Sequence, residues 1–239
     1  MLVALLAMIG TAREARAEWR RTTDIELNTA FTQEEGSLSI GILSPLTVGV
    51  TDSFQAAIHP LLLLLGQTSL AFRVRVTPIA DVSAALNLAG TWSFIDRETR
   101  DGVPSADAGD AEIGFPGTLQ LTETTSFRLG QSALLSAGAG VASDFIGATP
   151  TRGLVELHVA AHWLPASRHL VMLQLLGYVP FTEEARLMRP SAQVIYAWAA
   201  SSRVQLVMGL GVGEWTWETA DGGRSKVRIF PIADLWFRF

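Results

Sequence analysis

The chain has 239 residues, a net charge of −5 and no cysteine, with 49% apolar residues against 17% charged. That balance leaves no basic field for nucleic acid and excludes disulfide staples and thiolate metal sites. Mean hydropathy is +0.29, yet no stretch approaches the 18 or so consecutive apolar residues of a membrane-spanning helix.

The chain opens with the apolar run "LVALLAMI" (2–9), followed by "GTAREARA". Ala15-Arg16-Ala17 has the small-x-small form of a signal-peptidase site, so residues 1–17 are expected to be a cleaved signal peptide and 18–239 the mature body. A buried helix is the alternative.

From residue 20 onward the sequence alternates. "DIELNTAF" places Ile25, Leu27 and Phe31 on one face and Asp24, Glu26 and Asn28 on the other. "LAFRVRVT" sets Leu70, Phe72, Val74 and Val76 against Arg73, Arg75 and Thr77. The same period of two runs through "VSAALNLAGTWSF" (82–94), "RVQLVMGLGV" (203–212) and the end of the chain, where Leu235, Phe237 and Phe239 oppose Asp234, Trp236 and Arg238. A side-chain period of two is that of a strand with one apolar face.

Short turn signals such as "TDS" (51–53), "PIAD" (78–81), "GQS" (130–132), "PASRH" (165–169) and "SSR" (201–203) alternate with longer ones. The longer ones include the acidic 96–114, 181–189 and 220–224. They delimit about twelve strands, near 20–32, 36–50, 54–62, 69–77, 81–95, 116–130, 133–147, 152–165, 169–180, 190–201, 203–219 and 225–239. The expected fold is all-β, a transmembrane antiparallel up-and-down barrel with tight periplasmic turns and longer outer loops. In hydrocarbon every peptide group needs an internal partner, and a closed sheet supplies one without helices. The tryptophans agree: Trp92, Trp215 and Trp217 fall near outer strand ends, and Trp19, Trp163, Trp198 and Trp236 near inner ends, as expected of interfacial girdles.

The terminal "DLWFRF" resembles the assembly signal of bacterial outer-membrane barrels, with Trp236, Phe237 and Phe239 as its carriers. "LTVGVTDSFQAAIHPLLLLLG" (46–66) resembles a segment of poorly characterised outer-membrane barrels, including transporters and MetA-pathway phenol-degradation-like proteins. Val48-Gly49-Val50-Thr51-Asp52 and Ala57-Ile58-His59-Pro60 stand where those carry "YGVTD" and "LGLHP" pieces. The resemblance implies an outer-membrane location, contact with the barrel assembly machinery through the last strand, and passage of small solutes.

If the apolar parity faces lipid, the other parity lines the lumen. That assigns Glu26, His59, Arg73, Arg75, Glu156, His158, His162, Arg203, Arg228, Asp234 and Arg238 to a solute pathway. A lipid-facing Arg or Lys would cost about 2–4 kcal/mol at midplane. Glu123 breaks the rule by sharing parity with Leu119, Leu121 and Phe127, so a bulge or a register error is expected there. Glu156, His158 and His162 share one strand face, but the two histidines stand about 13 Å apart along it, too far to chelate one metal alone. "AGAG" (137–140) and "GLGVG" (209–213) are read as glycines that bend a strand or relieve lumen crowding. The leucine run in "HPLLLLLG" reads either as a strand top or as an apolar vestibule.

No metal or cofactor is expected, and no G-x-S-x-G elbow is present. The expectation is a channel or transporter for small solutes and not an enzyme. The alternatives are a plugged structural or adhesion barrel and an outer-membrane hydrolase. Membrane lipids and a small-molecule solute are the expected partners.

Overall fold

A computed structural model describes residues 19–79, 81–93, 116–146, 149–180, 191–201, 203–215 and 226–239. The expected signal peptide, the acidic loop 96–114 and the segments 181–189 and 220–224 lie outside the described residues.

Twelve antiparallel strands close into one barrel. They are β1 (Leu38–Gly41), β2 (Leu46–Thr51), β3 (Phe54–Ile58), β4 (Gln67–Ile79), β5 (Val82–Ser93), β6 (Pro116–Arg128), β7 (Ala133–Ile146), β8 (Thr149–Ala166), β9 (His169–Pro180), β10 (Ser191–Ala199), β11 (Val204–Trp215) and β12 (Lys226–Arg238). A short helix, α1 (Pro60–Leu64), joins β3 to β4. The ring closes where β1 meets β12, with Ser39 opposite Arg238 and Gly41 opposite Trp236.

Alternation decides what faces outward. Val74, Leu86, Leu121, Val159, Leu175 and Met208 are all exposed, Leu210 to 60%. Their neighbours one residue away, such as Ala85, Thr122, Ala160, Gln174 and Val207, are buried. The sheet is apolar on its outside and covered from within, the reverse of a soluble sandwich. Trp163 and Trp198 face outward near the inner rim, as a girdle requires.

The strand count agrees with expectation, but its composition does not. The expected first strand, 20–32, is not a strand. It makes one 3-10 turn (Thr22–Asp24) and then runs irregularly through the barrel interior. The expected strand 36–50 is two strands, β1 and β2, because Ser44-Pro45 turns the chain within it. One loss and one gain leave twelve.

Residues 19–33 form an internal plug. Trp19, Ile25 and Phe31 are buried against Leu134, Leu164, Leu170, Met172, Ile195 and Val207 from β7 to β11. These inner strand ends are therefore apolar on both faces, one toward lipid and one toward the plug. The inner lumen is packed: the space between Trp19, Leu170 and Val207 is only about 10 Å³, roughly one water at most. Trp19 and Trp236 belong to this packing, so the expectation that all tryptophans sit in the interfacial girdles is corrected for these two.

The wall is uneven. β4 to β12 hold nine or more residues each, enough to cross a bilayer. β1, β2 and β3 hold 4, 6 and 5. β1 pairs with the inner end of β12 and β3 with Leu70–Val74 of β4, so between these walls the ring is complete only over the length of the three short strands.

Candidate functional site

The plug is held by lumen-facing side chains rather than by strand pairing. Arg73 on β4 donates from Nη1 to the carbonyl oxygens of Glu26 and Phe31, at 3.0 Å each, and from Nε to Asn87 Oδ1 at 2.5 Å. Arg238 on β12 donates to Glu26 Oε1 at 2.8 Å. His162 Nε2 donates to the Leu27 carbonyl at 2.9 Å. Asn28 Nδ2 donates to Gln174 Oε1 at 2.8 Å, and the Ala30 amide donates to Ser126 Oγ at 2.8 Å. Peptide groups that leave regular structure in a dry interior need such partners. The plug therefore accounts for several of the polar lumen positions.

Where the plug returns to the inner rim it passes close to β2. The Gly36 amide donates to the Gly49 carbonyl at 2.8 Å, and a side chain at Gly49 would overlap the Glu34 carbonyl. Glycine is required there by the close approach of two backbones.

On the outer side of the plug lies a cavity of about 280 Å³ at mid-height of the lumen. Arg73, Asn87, Gln120, Glu156, His158 and Gln174 supply its polar lining. All but Gln174, which is bonded by Asn28 of the plug, form a connected network through Thr124. Asn87 Nδ2 donates to Thr124 Oγ1 at 3.3 Å. Thr124 Oγ1 lies 3.3 Å from His158 Nε2. His158 Nδ1 is 3.7 Å from Glu156 Oε1, and Gln120 Nε2 donates to Glu156 Oε2 at 2.6 Å. A side chain at Gly138 would collide with the His158 ring, so the glycine in "AGAG" makes room for the histidine in the lumen. His158 Nδ1 is buried without a hydrogen-bond partner, which leaves one polar atom beside Glu156 unsatisfied.

The sequence-derived lumen set divides into groups. Arg73, Glu156 and His158 line the cup. Glu26, His162 and Arg238 hold the plug, and Glu26 belongs to the plug itself. Arg75 shares the inward face of β4 with Arg73, next to a bulge between Arg75 and Thr77. Asp234 is a clasp: its carboxylate accepts from the Leu43 and Leu235 amides, from Ser44 Oγ and from Trp236 Nε1. His59 caps the start of α1 and bonds the Leu43 carbonyl at 2.8 Å through Nε2; it ties α1 to the β1–β2 turn rather than lining the lumen. Arg203 is exposed in the β10–β11 turn, outside the pathway. Arg228 falls on β12, where only the backbone is described.

Glu123 needs neither bulge nor register error. β5, β6 and β7 pair without interruption there, with Leu86 and Ala139 opposite Glu123. Its carboxylate stays on the outward face and accepts a hydrogen bond from Thr125 Oγ1 on the same strand.

What sequence reasoning missed is the plug. Its signal was present: "LVMLQLLG" (170–177) and "AQVIYAWAA" (192–200) carry apolar residues on both parities at their inner ends. Such runs need a covering on each face.

No family model matches the chain, and no curated protein matches it. Solved structures do. One is the outer-membrane expressed OmpT of Vibrio cholerae, at 12% identity and a TM-score of 0.43, covering 82% of this chain and 63% of that one. An in-vitro folded OmpT of the same organism gives 12% and 0.40, covering 82% and 62%. The chain thus spans under two thirds of the length of these barrels. The resemblance to MetA-pathway transporters is not shown by these comparisons. The assignment of class rests on the closed ring and its apolar outer belt: this is a transmembrane β-barrel of the bacterial outer membrane. The expectation that the chain is not an enzyme does not stand and is corrected. The lumen brings a hydroxyl, an imidazole and a carboxylate together, an arrangement compatible with hydrolytic chemistry.

Proposed function

We propose that the protein is a gated outer-membrane barrel for small polar solutes, with the cup as its binding site and residues 19–33 as its gate. The observation that carries this reading is a roomy polar cavity seated directly on a plug that pairs with no strand and joins the wall through side chains, apart from the Trp19 amide bond to the Ser167 carbonyl in the β8–β9 turn. A plug held in that way can leave without breaking the sheet. Arg73 and Arg238 are engaged by the plug, while the Glu156 carboxylate lines the cup, so the favoured solute is one rich in hydrogen-bond donors.

The chain has no cysteine, so an engineered pair is unambiguous. The Ala30 amide to Ser126 Oγ bond brings the two backbones within range of a disulfide. The double variant Ala30→Cys with Ser126→Cys is expected to conduct in planar bilayers when reduced and to fall silent when oxidised. Equal conductance in both states rejects the gate.

A second reading has one specific support. Thr124 Oγ1, His158 and Glu156 stand in the order of nucleophile, base and orienting acid, with both contacts looser than a working triad needs. Hydrolysis of a chromogenic ester that is lost in Thr124→Val and kept in His162→Gln would favour it. The assembly machinery is proposed to read β12 through outward Phe237 and Phe239, since Trp236 is turned inward.

A further inference from the structure

Five of the side chains that line the cup are carboxamides: Asn28 of the plug, Gln55 of β3, Asn87 of β5, Gln120 of β6 and Gln174 of β9. Among the described residues of the lining, the side chains with full charges are Arg73 and Glu156. Asn87 is spent on the wall. Its Oδ1 accepts from Arg73 Nε, and its Nδ2 donates to the Thr122 carbonyl and to Thr124 Oγ1, both at 3.3 Å. The other four carboxamides engage one end each.

Which end stays free follows from the partners. Gln55 Oε1 accepts the Gln33 amide of the plug at 2.9 Å; a backbone N–H only donates, so the free end of Gln55 is its NH2. Gln120 Nε2 donates to the Glu156 carboxylate, so the free end of Gln120 is its carbonyl. Asn28 Nδ2 donates to Gln174 Oε1 at 2.8 Å and also reaches Met172 Sδ at 3.8 Å, which leaves Asn28 Oδ1 and Gln174 Nε2 open. Nothing among the described residues takes these four ends, and none of them is sealed from the lumen. The cup thus offers two amide donors and two amide acceptors, with Glu156 Oε1 beside them. Asn28 is the plug's contribution to this lining. Its φ of +55° is a left-handed conformation that asparagine tolerates better than most residues, and Arg73 grips the carbonyls of Glu26 and Phe31 on either side of it.

We infer that the cup binds a neutral polyhydroxylated molecule of monosaccharide or hexitol size, with Asn28, Gln55, Gln120 and Gln174 reading its hydroxyls. A hydroxyl both donates and accepts, and neighbouring hydroxyls present a donor and an acceptor side by side, as a carboxamide does. An ion fits less well, since Glu156 opposes an anion and Arg73 a cation. The volume of about 280 Å³ falls just under the roughly 300–1,000 Å³ of drug-sized ligand sites, which sets the occupant at one small molecule. The inference rests on the cup being the solute site proposed above, and it is independent of the gate.

The test is equilibrium dialysis of the full-length protein in lipid nanodiscs against radiolabelled sorbitol. Saturable binding is expected, displaced by mannitol and not by a hexanediol, which keeps the carbon chain and loses most of the hydroxyls. Gluconate and glucosamine, the anionic and cationic counterparts, should compete about fivefold less well than mannitol. Gln120→Leu and Asn28→Gly should each weaken sorbitol binding about tenfold. Glycine keeps the left-handed turn of the plug, and an unchanged strand signal in circular dichroism certifies the barrel in both variants. Absence of saturable binding, tighter binding of gluconate or glucosamine than of sorbitol, or unaltered affinity in both variants would overturn the inference. Dialysis does not require the plug to move, so failure here leaves the conductance test of the gate standing, and a failed gate leaves this binding in place.

Discussion

The two ends of the lumen solve opposite problems with one sheet. At the inner end, apolar side chains from five strands close on Trp19, Ile25 and Phe31, Arg73 and His162 hold plug carbonyls, and Arg238 holds the Glu26 carboxylate. Farther out, β6, β8 and β9 turn Gln120, Glu156, His158 and Gln174 into an open cup, and β1 to β3 stop short of the other strands' length. The inner end resembles the core of a soluble domain; the outer end is built around a space. Stability and function are thus divided along the axis of a single barrel. Inner substitutions should change stability and gating, and outer ones should change what enters.

Several measurements sharpen or break that division. The largest effect is expected at the plug core. Phe31→Ala removes a 3%-exposed ring and should destabilise the seated plug by about 4 kcal/mol, seen as proteolysis within residues 19–33 and as permanently open channels. An unchanged protease pattern would mean that this packing does not hold the plug. Next is Arg73→Ala, which strips two carbonyls and Asn87 of a buried cation. A loss of about 3 kcal/mol is expected, with channels opening at least partly, whereas Gln120→Ala should alter solute affinity and leave gating alone. If the two variants behaved alike, inner and outer lumen would not be separate devices.

A smaller effect of opposite sign is expected on the outside of the barrel. Glu123 faces outward beside apolar neighbours, so Glu123→Leu should stabilise the barrel by about 1 kcal/mol in a lipid-bilayer unfolding titration. A loss instead would show that the carboxylate meets something other than lipid.

The smallest is a pH effect at the plug. Burial holds the Asp24 carboxyl above its ordinary 3.8, opposed by the Arg21 amide and by Arg238. A raised value in the seated state means that protonation favours seating. That stabilisation is complete below 3.8 and is lost as pH rises through the raised value. Channels should therefore open more readily as pH climbs through this window, and Asp24→Asn should flatten the slope. A slope of the same size in the Asn variant would assign it to another group.

Much of this was legible in the sequence, but unevenly. Strands β4 to β12 were legible because a period of two leaves little freedom: shifting Val159 or Leu175 by one place would drive His158 or Gln174 into lipid. Glu156, His158 and Arg73 were legible as lumenal for the same reason. The plug was misread because "DIELNTAF" alternates as well as any strand does. Alternation reports two chemically different sides, and a segment crossing a lumen with an apolar floor and polar walls also has two sides. β1 and β2 were misread as one strand because Ser44-Pro45 is a brief interruption between two apolar runs.

By itself, the sequence determined the closed antiparallel sheet, its lipid-facing parity and the location in an outer membrane. Each follows from the requirement that peptide groups and charges avoid hydrocarbon, and that requirement acts residue by residue. Only the tertiary structure decided that the first segment of the described chain fills the barrel instead of joining its wall, that Arg73 and Arg238 serve a plug, and that among the described residues the outer part of β12 pairs with β11 alone. Those outcomes depend on which distant groups compete for the same space and the same hydrogen bonds, and neither periodicity nor composition carries that information.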